Sequence, residues 1–143
     1  MSDLRIERQF AAPADRVFEF VTRHEHLLKW WGPEGMSLPE ETLDFTKPGP
    51  WHSVMMSADG NRFKVSGEVT SVDAPNALEF TWAWHDDQGQ RGPESRVRID
   101  LISAGPDATT FVLTHADLLD DESRKNHGDG WTSSIGKLER QFA

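Results

Sequence analysis

Histidine and tryptophan are the residues of this chain whose types and spacing could do chemistry. His115 alternates with Phe111 and Leu113 on a predicted strand, and His127 stands four residues before Trp131 on a predicted helix. A neutral imidazole in a cavity can act as a general acid or base, because its pKa lies near the working pH. Inward histidines are more often hydrogen-bonded core residues, however, and the sequence offers no self-evident catalytic set. We predict no catalytic residue.

Six tryptophans stand in 143 residues that contain no tyrosine and no cysteine. They recur wherever the sequence indicates a buried face. A tryptophan buries about 150–250 Å² and keeps one N–H donor. Several of them around one interior indicate either a bulky core or the wall of an apolar pocket. For the alternating pair Trp82 and Trp84, core packing is the commoner outcome, and a ligand-facing role for at least one of them stays open.

Metal and nucleotide sites have no support in the sequence. His24, Glu25 and His26 resemble a metal cluster, but residues two apart on a helix face different directions, whereas the two-histidine zinc motif needs a spacing of four. The lack of cysteine excludes thiolate ligands, disulfides and cysteine nucleophiles. No glycine-rich phosphate loop or serine nucleophile elbow occurs. We therefore predict no metal and no cofactor.

The acidic composition limits the partners. The chain carries 24 acidic and 15 basic residues, a formal charge of −9, so its surface repels phosphate backbones and we expect no nucleic-acid partner. No segment has the apolar run of a signal peptide or of a membrane span, which needs about 18 residues. We expect a cytoplasmic protein that forms one domain over residues 1–143.

Hydrophobic spacing predicts the elements that must position these side chains. A strand at Leu4–Phe10 precedes a helix that begins at Pro13, and the capping-box spacing of residues 22–25 predicts a second short helix. From Ser37 onward, hydrophobic residues recur at every second position, which is typical of strands. This pattern predicts six strands, of which the last ends near His115. The C-terminus returns to helical spacing in one apolar stripe, formed by His127, Trp131, Ile135, Leu138 and Phe142.

This order of elements predicts an α+β fold with a curved antiparallel sheet of about six to seven strands. We expect the sheet to wrap around the long C-terminal helix, because both elements have one apolar face to bury. Two short helices follow the first strand. A sheet curved around one helix often leaves a gap between them, and that gap is the candidate site.

Short motifs along the whole chain carry a family resemblance. They include residues 8–13 (RQFAAP), 28–33 (LKWWGP), 67–69 (GEV), 73–82 (DAPNALEFTW) and 130–131 (GW). Each is weak alone, but their order and spacing are specific. The chain resembles the bacterial relatives of the activator of the heat-shock protein 90 ATPase, an AHSA-like family within the START-like (SRPBCC, helix-grip) superfamily, whose fold is also that of the birch pollen allergen.

The resemblance implies a helix-grip fold with an internal cavity, which superfamily members often use for hydrophobic small molecules, and it implies no reaction. Relatives often carry paired glycines where this chain has residues 48–51 (PGPW), so Trp51 could fill or reshape the cavity. The eukaryotic chaperone activators carry an additional N-terminal domain for which this chain has no room. Chaperone modulation is therefore the second interpretation.

We predict a cytoplasmic module that binds a hydrophobic or aromatic small molecule, oriented by the two histidines and the indole N–H groups. One alternative is a protein-interaction module that modulates a heat-shock protein 90-type chaperone or another partner. The other is a cyclase or dehydratase-type enzyme that uses cavity histidines. A homodimer is compatible with the fold, but no sequence feature argues for one. The expected ligand-binding residues are Trp31, Met36, Trp51, Met55, Phe63, Trp82, Trp84, His115, His127, Trp131 and Ile135.

Overall fold

Residues 2–142 are described in the computed structural model, and within them three helices accompany one seven-stranded antiparallel sheet. The α+β helix-grip prediction is confirmed, with two short helices after the first strand and six strands before the last helix. The elements are β1 (Ser2–Phe10), α1 (Ala14–Thr22), α2 (His24–Leu27), β2 (Ser37–Glu41), β3 (Gly49–Met56), β4 (Arg62–Asp73), β5 (Ala77–Trp84), β6 (Ser95–Gly105), β7 (Ala108–Leu118) and α3 (Asp121–Arg140).

The sheet order is β1-β7-β6-β5-β4-β3-β2, so the first strand closes one edge beside the last. Each of the later strands pairs with its predecessor as a hairpin. The register of β4 against β5 shifts between Val69 and Ser71, and such irregularities bend a sheet. Gly67 lies just before this bend, where a Cβ would overlap the backbone carbonyl of Thr81. The close approach therefore requires glycine.

The terminal helix α3 packs its apolar stripe on the concave face of the sheet. Trp131, Ile135 and Leu138 are buried, as the spacing predicts. The helix ends at Arg140, so Phe142 lies beyond it and contacts Phe10 and Phe20. No helix among residues 2–142 is long and apolar enough to cross a membrane.

The short helices differ in detail from the sequence prediction. The Oγ1 of Thr22 donates to the carbonyl of Phe18 at 2.7 Å inside α1, and no side chain caps α2. The predicted capping box is therefore wrong, because the Thr22 hydroxyl is used by the preceding turn. Pro13 is the N-cap of α1 rather than its first helical residue. The turns that follow α2 carry Trp31, which is 3% exposed, into the interior.

Candidate functional site

A cavity of about 690 Å³ lies between the sheet and the first part of α3. This volume is within the range of pockets that hold drug-sized ligands, about 300–1,000 Å³. Exposed side chains at its rim, among them Phe63 at 42% and Glu122, leave it open to solvent. Its apolar wall is formed mainly by Trp31, Met55, Phe63, Trp82, Trp84 and Trp131.

Four tryptophans from three parts of the chain meet in this wall. Trp31 follows α2, Trp82 and Trp84 share one face of β5, and Trp131 comes from α3. The ring centroids of Trp31 and Trp131 are 5.8 Å apart at 87°, and those of Trp82 and Trp84 are 5.5 Å apart at 87°. Edge-to-face pairs contribute about 0.5–1.5 kcal/mol beyond their burial, so the rings hold one another in place.

The structure brings together part of the residue set that the sequence predicts. Trp31, Met55, Phe63, Trp82, Trp84, His127 and Trp131 line the cavity. Met36, Trp51, His115 and Ile135 lie outside the lining. Ile135 is fully buried in the core, and Met36 packs against that core from its edge. Periodicity assigns these side chains to a buried face, but it does not separate the core from a cavity wall.

Trp51 lies behind the cavity wall and is 2% exposed. Its ring centroid is 5.6 Å from that of Trp31 and 5.7 Å from that of Trp82, and both of those rings line the cavity. Trp51 therefore supports the wall from the core side. Its indole fills interior space that a glycine would leave empty.

His115 is fully buried and hydrogen-bonded at both ring nitrogens. The Nε1–H of Trp131 donates to Nδ1 at 3.0 Å, so the imidazole proton is on Nε2, which donates to the Oγ of Ser95 at 2.7 Å. The Ser95 hydroxyl donates in turn to the carbonyl of Trp82 at 3.3 Å. Burial, with a smaller contribution from neighbouring His127, lowers the pKa of His115 from 6.5 to about 3. His115 is thus a neutral structural residue.

His127 lines the cavity, yet its ring nitrogens are also occupied. The Nε1–H of Trp84 donates to Nε2 at 2.9 Å, which places the imidazole proton on Nδ1. The Nδ1–H donates to the carbonyl of Ser123, one turn earlier in α3, at 2.8 Å. The bond from Trp84 therefore joins β5 to α3 within the cavity wall.

The indole N–H groups of the wall are largely used inside the protein. Trp31 donates its Nε1–H to the Oγ of Ser53 at 3.1 Å, while Trp84 and Trp131 donate to histidines. The Nε1–H of Trp82 is buried without a partner among residues 2–142. Most of the histidine and indole groups that were expected to orient a ligand are therefore already paired, and the N–H of Trp82 is the indole donor of the wall that has no partner in the described chain.

A polar rim at the start of α3 is the part of the site that sequence reasoning missed. The carboxylate of Asp120 caps the helix by accepting from the N–H of Ser123 at 2.8 Å. No lysine or arginine of the described chain lines the cavity. One sequence signal could have indicated this face of α3. Small residues recur beside the tryptophan stripe, at Ser123, Gly130 and Ser134, and make room for a cavity.

The predicted separation of His24 and His26 holds in the structure. The Nε2 of His24 lies 3.0 Å from the carboxylate of Glu41, whereas the ring of His26 stacks on Phe20 at 4.1 Å. Among residues 2–142, no group of three or more histidine, aspartate or glutamate side chains could hold a metal ion.

Comparisons with known proteins agree with this fold. The family model described as Activator of Hsp90 ATPase homolog 1-like protein matches residues 11–143. The crystal structure of an AHSA1 protein from Silicibacter pomeroyi is 46% identical, with a TM-score of 0.93 over 98% of this chain and 96% of that one. The comparison with curated proteins gives no match.

More distant structures share the fold. A protein from Nitrosomonas europaea is 26% identical, with a TM-score of 0.77 over 96% of this chain and 92% of that one. A protein from Mycobacterium smegmatis is 21% identical, with a TM-score of 0.80 over 99% of this chain and 90% of that one. The architecture is therefore kept while most of the sequence changes.

Proposed function

Because the chain belongs to the family of Activator of Hsp90 ATPase homolog 1-like proteins, we propose that it binds a small molecule with an apolar, aromatic body in the cavity between its sheet and α3. The observation that carries this proposal is the wall of four tryptophans around about 690 Å³ of accessible space. Each Å² of apolar ligand surface buried there contributes about 25 cal/mol before the costs of association. Burial of about 300 Å² supplies roughly 7 kcal/mol of gross stabilisation.

A cavity-filling substitution on α3 tests this function. Gly130 lines the cavity, and a Cβ built on it would meet only the Cγ of Pro33, at 3.9 Å, so a larger side chain enters open space. Gly136 lies on the same helix outside the lining, with nothing within 4 Å of a Cβ. Gly136→Leu is the matched control, because both substitutions replace a helical glycine and raise helix propensity by a similar amount.

The binding measurement combines native mass spectrometry of freshly purified protein with fluorescence titration against hydrophobic compounds. We expect the wild type and Gly136→Leu to retain a co-purified or added ligand, and Gly130→Leu to lose it. Binding of the same ligand by Gly130→Leu with unchanged affinity would place the ligand elsewhere. An unchanged emission spectrum across a broad library would refute the proposal.

Modulation of a heat-shock protein 90-type chaperone or another protein partner is the second candidate. It draws support from the family description and from exposed apolar side chains outside the cavity lining, such as Ile102 at 55% and Leu119 at 65%. This function would use a surface, so Gly130→Leu should leave it intact. A chaperone ATPase rate that does not change on addition of the wild-type protein would remove this candidate.

Cyclase or dehydratase chemistry through the cavity histidines has the weakest support. His115 is 0% exposed, and both of its nitrogens are hydrogen-bonded. His127 is bonded to Trp84 and to its own helix. A general base must reach the proton that it abstracts, and neither imidazole offers a free nitrogen. Turnover of a substrate that falls with both His115→Ala and His127→Ala, in folded variants, would overturn this conclusion.

A further inference from the structure

We propose that the cavity selects an organic cation, a protonated amine or quaternary ammonium on an aromatic or alkyl body, over a neutral or anionic molecule of the same shape. This inference rests on the proposed function, since it concerns the same cavity. Three features of the site carry it. They are the aromatic wall, the lack of positively charged groups in that wall, and the charge at its rim.

The wall offers aromatic rings in several orientations. Trp31 and Trp131 meet at 87°, Trp82 and Trp84 also meet at 87°, and Trp82 and Trp131 meet at 46°. All four rings line the same cavity, so a bound group can contact more than one of them. The negative face of an aromatic ring attracts a cation within about 6 Å, and tryptophan does so best. This arrangement of rings is suited to an ammonium group.

The wall has little to offer an anion. Recognition of a carboxylate or phosphate in proteins relies on arginine, lysine or free N–H groups. No arginine or lysine lines the cavity within residues 2–142. The N–H groups of Trp31, Trp84 and Trp131 are donated to Ser53 and to histidines. Among the indoles of the wall, that of Trp82 has an N–H without a partner in residues 2–142. An anion would therefore exchange its hydration for neutral donors alone, such as those of Trp82 and Asn126, with no positive charge to compensate it.

The rim carries net negative charge. Asp120 and Glu122 line the cavity, and neither forms an ion pair with a lysine or arginine in the described part of the chain. Their neighbour Asp121 lies 3.9 Å from Arg124 and is outside the lining. The start of a helix contributes about +0.5 of an elementary charge, which leaves roughly −1.5 from the two carboxylates. A cation at the mouth is attracted, and an anion is repelled.

The test compares three probes of nearly equal shape: phenyltrimethylammonium, tert-butylbenzene and benzenesulfonate. Affinities are measured by following the indole N–H signals in NMR titrations at low salt. We expect the cation to bind about tenfold more tightly than tert-butylbenzene, which corresponds to about 1.4 kcal/mol, and benzenesulfonate to bind most weakly. The preference for the cation should decrease as salt is added, because the rim charges are exposed.

The double variant Asp120→Asn/Glu122→Gln removes both rim charges, and asparagine at position 120 can still cap the helix. We expect this variant to lose part of the cation preference and to keep its affinity for tert-butylbenzene. Glu139→Gln is the matched control, because Glu139 lies 17 residues further along α3 than Glu122. That separation is about 25 Å, and both variants are also measured at 0.1 M salt, where the screening length is about 10 Å.

The outcomes separate this inference from the proposed function. A cation preference that depends on the two rim carboxylates and not on Glu139 supports the inference. Equal or tighter binding of tert-butylbenzene or benzenesulfonate overturns it and leaves small-molecule binding intact. If none of the three probes binds at millimolar concentration, both the inference and the proposed function fail.

Discussion

The buried histidine of the core makes a quantitative prediction about stability and pH. In the folded protein the imidazole of His115 stays neutral down to about pH 3, whereas in the unfolded chain it takes up a proton near its ordinary pKa of 6.5. Between these values the unfolded state binds more protons, so the free energy of unfolding falls as the pH falls. The contribution of His115 to the free energy of unfolding is fully present above pH 6.5 and is lost as the pH falls towards 3.

The magnitude follows from the two pKa values. For one titrating group, the free energy of unfolding changes by at most about 1.4 kcal/mol per pH unit. With pKa values of 6.5 and about 3, the loss between pH 7 and pH 5 is about 2 kcal/mol. This interval is chosen because carboxylates are still largely ionised at pH 5, so their own titration contributes little.

The perturbation is His115→Gln, measured by urea unfolding at fixed pH values between 5 and 7. Glutamine has an amide oxygen that can accept from Trp131 and an amide N–H that can donate to Ser95, but it does not titrate. We expect the variant to be less stable at pH 7 and to lose about 2 kcal/mol less than the wild type on going to pH 5.

A direct measurement checks the same reasoning in the folded state. The ¹⁵N signals of the His115 ring should show a neutral imidazole with its proton on Nε2, and they should not move between pH 7 and pH 5. Titration of this ring with a midpoint near 6.5, or parallel stability curves for the wild type and His115→Gln, would refute the argument.

Substitutions at four further positions test the packing and the helix cap, each by urea unfolding at pH 7. Gly67→Ala should destabilise the protein by about 2–3 kcal/mol, because its Cβ overlaps the Thr81 carbonyl, whereas Gly136→Ala, with open space around its Cβ, should stabilise by up to about 1 kcal/mol. Trp51→Ala should cost about 3–5 kcal/mol, and a cost under 1 kcal/mol would mean that the wall does not depend on Trp51. Asp120→Ala should cost about 1 kcal/mol through loss of the helix cap, and equal stability of Asp120→Ala and Asp120→Asn would contradict a capping role.

The sequence was sufficient for the order of the elements because period-two and helical spacing are local signals. It placed Trp131 and Ile135 correctly on one buried stripe of α3. The spacing does not show which of these two side chains lines the cavity. In the structure Trp131 lines it, and Ile135 lies in the core. Whether a buried side chain meets another side chain or open space depends on the opposite element, and spacing on one helix carries no information about that element.

Hydrogen-bond partners in the site were also beyond the reach of spacing. The indole of Trp84 bonds to His127, 43 residues later, and that of Trp131 bonds to His115, 16 residues earlier. These pairs form because a sheet strand and the terminal helix approach each other in three dimensions. The sequence indicates that each of these residues is buried and carries a polar ring nitrogen. It does not indicate which group forms a hydrogen bond with that nitrogen.

The tryptophans also determine how the protein responds to light. All six rings form one connected series, since neighbouring centroids from Trp30 through Trp31, Trp51 and Trp82 to Trp84 and Trp131 are 5.2–6.0 Å apart. Excitation absorbed by one indole can pass by resonance transfer to any other at such separations. The fluorescence emission is then a property of the whole series, and it should be strongly depolarised. The near-ultraviolet circular dichroism should show bands from coupled indoles. A molecule that touches one ring in the cavity should therefore change the signal of all six.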